Sequence, residues 1–157
     1  MIQLSFARIA KGQGHEAGRA LLEKLYLQQV GQAMPAIVKD PGGKPRFAEG
    51  ALHFSISHTK GHVFCVLADK PVGVDAEEMD RQIDLRLAEK ILSESEKRRF
   101  DGTADKRDAL LRFWVLKEAA AKLTGEGLRG YPNHTDFDPA DKRITEMNGS
   151  YVAVLTE

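Results

Sequence analysis

The sequence has little cysteine, no long apolar run and no surplus of charge, and each of these narrows what it can be. One cysteine in 157 residues, Cys65, rules out a disulfide within the chain. Its place in the run Val63-Phe64-Cys65-Val66-Leu67 marks a buried thiol, which suits a reducing compartment. No apolar stretch approaches the roughly 18 residues of a membrane span, and Met1-Ile2-Gln3 opens without a signal-peptide pattern, so a cytoplasmic protein without a membrane partner is expected. Lysine and arginine number 23 against 23 aspartate and glutamate, which leaves no global field for nucleic acid and makes any phosphate chemistry local. No internal repeat is evident. With 42% hydrophobic residues the chain can bury a core without staples, and it reads as a single domain over 1–157.

What is present is organised around Phe113 to Leu123, a run of strong helix formers that carries three charges. At about 3.6 residues per turn, Trp114, Glu118 and Lys122 stack along one stripe, and Leu116, Ala119, Ala120 and Leu123 supply the packing side. On a solvated face Glu118 and Lys122 would form an ordinary i,i+4 ion pair. A second stretch, Val72-Gly73-Val74-Asp75-Ala76-Glu77, reads as a strand that puts Asp75 and Glu77 on one face. Like charges so placed repel unless a cation lies between them. Asp75, Glu77 and Glu118 are therefore candidate ligands of one hard cation, magnesium being held typically by few carboxylates, water and substrate phosphates.

Gly73-x-Asp75-x-Glu77 followed by Trp114-x-x-Lys117-Glu118-x-x-x-Lys122 resembles the bipartite signature of the 4′-phosphopantetheinyl transferases. The resemblance covers residues 43 to 130, through Gly43-Lys44-Pro45, Phe54-Ser55-Ile56-Ser57-His58-Thr59 and Gly125-Glu126-Gly127-Leu128. It implies transfer of phosphopantetheine from coenzyme A to a serine of an apo acyl or peptidyl carrier protein. In that family pattern Asp75, Glu77 and Glu118 hold magnesium, Lys122 reaches the phosphate oxygens, and Glu96 in Ser93-Glu94-Ser95-Glu96 is the general base. Lys44, Ser57, His58 and Arg19 bind coenzyme A. Two other classes are weighed beside it: a coenzyme A or nucleotide-binding module that has lost turnover, and a magnesium phosphohydrolase. Oligomeric state is left between monomer and homodimer.

The resemblance also implies an α+β fold with one sheet packed by helices over 16–32, 83–100 and 107–123, the second of them broken where Ser93-Glu94-Ser95-Glu96 gives a new N-terminal signal and two helices meet. It makes the chain an incomplete pseudo-dimer, with 1–50 a shortened first half and 51–157 the half that carries the motifs. Read along the chain, Leu4–Ile9, Ile37–Val38, Leu52–Ser57, Val63–Ala68, Val72–Ala76, Thr135–Phe137 and Tyr151–Leu155 are expected strands. Ser57-His58-Thr59 is expected in the loop after its strand. Asp69-Lys70-Pro71 is expected to turn between two neighbouring strands.

Overall fold

A computed structural model describes residues 1–127 and 135–157, so Leu128 of the expected Gly-Glu-Gly-Leu turn lies outside the described residues. The first half of the chain builds β1 (Ile2–Arg8), α1 (Gly14–Val30), β2 (Ile37–Lys39), β3 (Pro45–Phe47), β4 (His53–His58) and β5 (His62–Ala68). The second builds β6 (Val72–Glu78), a 3-10 turn at Leu85–Leu87, α2 (Ala88–Ile91), α3 (Glu94–Asp101), α4 (Lys106–Thr124), β7 (Ile144–Met147) and β8 (Ser150–Thr156).

The strands do not form the one sheet expected. They form two antiparallel three-stranded sheets, ordered β1-β5-β4 and β6-β8-β7, beside the short pair β2-β3. Asp69-Lys70-Pro71 therefore carries the chain from one sheet to the other instead of closing a hairpin. Both halves run strand, long helix, strand, strand, and both sheets pair first strand to third and third to second. This repeat of topology has no repeat of sequence behind it. The change of sheet falls at Asp69–Pro71 and not at residue 50, because β1 pairs along its whole length with β5.

Each sheet buries one face under its helix. Leu21, Leu22 and Leu25 of α1 meet Phe54, Val63, Cys65 and Leu67, while Leu110, Phe113, Leu116 and Ala119 of α4 meet Tyr151, Ala153 and Leu155. A third cluster draws Phe64, Val66 and Ala68 from the first sheet together with Val72, Val74, Ala76 and Val152 from the second. Burial on both faces explains why Val63 to Ala68 is an unbroken apolar run rather than an alternating one.

The break expected at Ser93-Glu94-Ser95-Glu96 is present: Leu92 takes extended geometry and Ser93 starts α3 with a reciprocal capping box to Glu96. Two further expectations are corrected. Thr135–Phe137 forms no strand. Ser57 and His58 end β4 instead of lying in the loop after it. β3 and β7 were not foreseen; Pro45-Arg46-Phe47 and Ile144–Met147 are too short for alternation to register.

The motif glycine Gly73 has a packing reason. A Cβ there would collide with the Ala119 carbonyl oxygen and stand 2.5 Å from the Leu123 amide nitrogen, so its absence lets α4 lie directly on β6. Gly73→Ala should push the helix off the strand and cost about 1–3 kcal/mol, as overpacking does. Urea unfolding would measure it, and a wild-type midpoint would show that α4 can yield at this contact.

Candidate active site

A cleft of about 1090 Å³ opens between the N-terminal end of α1, the turn joining β2 to β3, β4 and the last turns of α4. Close approaches shape it. A Cβ on Gly14 would stand 2.5 Å from the His58 ring, so the imidazole sits directly on the start of α1. Across the cleft, Gly42 approaches the Gly125 carbonyl, and Gly43 at φ +89 turns the chain so that the Lys44 side chain runs beneath Gly125.

Of the residues singled out in the sequence, Arg19, Lys44, His58, Glu118 and Lys122 line this cleft. The Lys44 ammonium donates to the Leu123 carbonyl at 2.6 Å and to that of Val72 at 3.5 Å, at the carbonyl-rich end of α4. Burial lowers its pKa, against the opposing pull of Asp40 and Glu157. His15 and Lys39 also line the cleft and carried no signal, since neither belongs to a recognisable pattern.

Asp75 lies behind the cleft lining, against Lys122, and is 6% exposed. Its Oδ1 accepts from Lys122 Nζ at 3.0 Å and Ser57 Oγ at 3.1 Å, while its buried Oδ2 has no hydrogen-bond partner among the described residues. Burial pushes the carboxyl up to about 6, with Lys122 opposing and Glu77 adding to the rise. Glu118, one turn before Lys122, is pushed up to about 7 by burial and then by the negative charge of Asp75.

Ser57 is buried and does not face the cleft. Its oxygen accepts from the Ala76 amide at 3.1 Å, as Ser55 accepts from the Val74 amide at 3.0 Å, so two hydroxyls join the edge of β4 to the edge of β6. The sequence signal was the polar pair at i and i+2, which alternation assigns to a solvated face. The second sheet covers that face instead.

Glu77 is not among the residues lining the cleft: its Oε1 accepts from Trp114 Nε1 at 3.0 Å and pairs with Arg81 at 2.5 Å. Thus Asp75 and Glu77 are each drawn to their own cation, and among the described residues no three acidic, histidine or cysteine side chains close into a ready metal cluster.

Glu96 is displaced furthest from its expected role. It is fully buried, and its Oε1 accepts from Lys117 Nζ at 2.6 Å and the Ser93 amide at 2.8 Å, while Oε2 accepts from the Phe137 amide at 2.7 Å. Lys117, 2% exposed, also donates to the Thr135 carbonyl at 2.6 Å. The pair ties α3, α4 and the returning chain together inside the fold. Adjacent positions on α4 thus serve opposite sides, Lys117 the interior and Glu118 the cleft.

Residues 71–153 match the family model described as the 4′-phosphopantetheinyl transferase superfamily. Among curated proteins, 4′-phosphopantetheinyl transferase gsp of Aneurinibacillus migulanus is 30% identical over 115 residues, 71% of this chain and 48% of that protein. The psf-1 transferase of Bacillus pumilus is 31% identical over 116 residues, covering 73% and 46%. The holo-[acyl-carrier-protein] synthase of Thermotoga maritima is 42% identical over 81 residues, covering 52% and 44%. The chain spans about half the length of these relatives.

Proposed function

Since the chain belongs to the 4′-phosphopantetheinyl transferase superfamily, we propose that it moves the 4′-phosphopantetheine group from coenzyme A to a serine of an apo acyl or peptidyl carrier protein in the cytoplasm. The observation that carries this reading is the single cleft in which Arg19, Lys44, His58 and Lys122 face one space beside Glu118, with Asp75 behind them. Arg19, Lys44 and Lys122 are separate cations along the cleft and suit a ligand with separated phosphates, and binding remote from the reacting atom orients it. The shared topology of the two halves supports the two-halved arrangement that the resemblance implies.

The residues fit a hard divalent cation: Asp75 Oδ2 is buried and unsatisfied among the described residues, and the negative charges of Asp75 and Glu77 both act on Glu118. Asp75, Glu77 and Glu118 would hold magnesium, which when bound neutralises charge on the pyrophosphate. Lys122, already at the Asp75 carboxylate, adds positive charge where the leaving 3′,5′-ADP forms. In the transfer the serine Oγ forms a bond to the β-phosphorus, the bond from that phosphorus to the bridging oxygen breaks, and the serine proton must leave. Glu96 has both oxygens engaged inside the fold. Glu118 is the carboxylate of this group that lines the cleft, and it takes the proton directly or through a water.

Incubation with coenzyme A, magnesium and a panel of apo carrier proteins tests the proposal by intact mass. One carrier should gain the mass of a phosphopantetheine group, and the gain should vanish without the metal. Coenzyme A binding without modification of any carrier would leave a binding module, and release of 4′-phosphopantetheine and 3′,5′-ADP from coenzyme A and water alone would mark a hydrolase.

A further inference from the structure

Arg81 lies outside both motifs, yet it is built into the carboxylate cluster. The chain turns after β6, and Arg107 of α4 fixes that turn by donating to the carbonyls of Met79 at 2.9 Å and Arg81 at 3.0 Å. The Arg81 guanidinium is thereby set 6.0 Å from the centre of the Trp114 ring and 2.5 Å from Glu77 Oε1, the oxygen that also accepts from the Trp114 indole. Its positive charge also acts on Glu118. Two of the three carboxylates thus carry an internal counter-cation, Lys122 on Asp75 and Arg81 on Glu77.

The geometry points to Arg81 as an internal competitor for the divalent cation, one that holds Glu77 when no metal is bound and sets how tightly the metal is taken. The inference rests on the assignment of Asp75, Glu77 and Glu118 as metal ligands. Lys122 is two-thirds buried and bridges β4 to Asp75, whereas the Arg81 side chain is 41% exposed and can swing into solvent when Glu77 is claimed. A weak metal site follows from this arrangement. The cation must break an existing ion pair and approach against a fixed positive charge, so the protein alone takes it weakly and substrate phosphates tighten it.

Trp114 is the only tryptophan in the chain and touches both members of the pair, so its fluorescence reads the event without any turnover. Magnesium or manganese chloride titrated into the protein at low ionic strength should change that emission with a measurable midpoint. Arg81→Gln should lower the midpoint about tenfold, the size of a unit charge acting on a divalent ion across several ångströms of solvated space. Arg81→Lys keeps the charge and should stay near wild type. A thermal melt without metal, compared with the same melt in magnesium, gives a second readout and shows that each variant is folded. Unchanged or weaker binding in a folded Arg81→Gln would overturn the role given to Arg81 while leaving the metal site standing. Failure of every variant, wild type included, to respond to either cation would remove the metal assignment itself and this inference with it.

Discussion

Glu96→Gln should lower stability by about 3–5 kcal/mol, because it takes the carboxylate charge away from a buried ammonium and keeps almost the same shape. For a chain of this length that corresponds to a melting temperature lower by roughly 6–20 °C. Lys117 and Glu96 are both nearly inaccessible and share their hydrogen bonds with Ser93, Thr135 and Phe137, so water cannot replace what is lost. The double variant Glu96→Gln with Lys117→Met removes both charges and should recover much of the loss, since replacing a buried pair by uncharged groups is often close to neutral. The same variant distinguishes two roles for one residue. A protein that melts like wild type but transfers 10²–10⁴-fold more slowly, the range typical of general-base catalysis, would restore Glu96 as the base.

Glu118→Gln should have the opposite profile: transfer about 10²–10⁴-fold slower, and a metal-free protein at pH 8 at least as stable as wild type. Glu118 is raised in the folded state from an ordinary 4.5 to about 7, and Asp75 from 3.8 to about 6. A carboxyl raised on folding binds its proton more tightly in the native state. Its contribution is therefore fully present below the unfolded value and is lost as pH climbs through the folded one. Metal-free wild type should lose stability between about pH 4 and 8, and Glu118→Gln should lose less over the same interval. Magnesium at pH 8 should raise the wild-type melt by mass action and do little for the variant. Chemical unfolding across that pH range, with chelator and with magnesium, checks each statement. A variant that collapses at pH 8 would mean that Glu118 supports the fold and is not a strained functional group.

Sequence alone determined the family motifs and most of the elements that carry them. Period-two alternation and apolar runs locate β4, β5, β6 and β8, and the helical stripe of Trp114, Glu118 and Lys122 locates α4. The bipartite spacing of Gly73-Asp75-Glu77 with Trp114-Lys117-Glu118-Lys122 identifies the family because local patterns of that kind are written in consecutive residues. What only the tertiary structure decided is which side chains share a space. Helical periodicity places Lys117 beside Glu118 without saying that one meets Glu96 in the interior while the other meets solvent in a cleft. Alternation puts Ser55 and Ser57 on a polar face of β4 and cannot say that a second sheet lies against it. The two sheets could not be told from one sheet, since pairing is a contact between residues about sixty to eighty positions apart, as Ile2 with Ala68 or Val72 with Thr156. Arg81 had no signal at all, for its effect on the carboxylates depends on a turn held by Arg107 and on a ring at position 114, and that geometry exists only after the chain has folded.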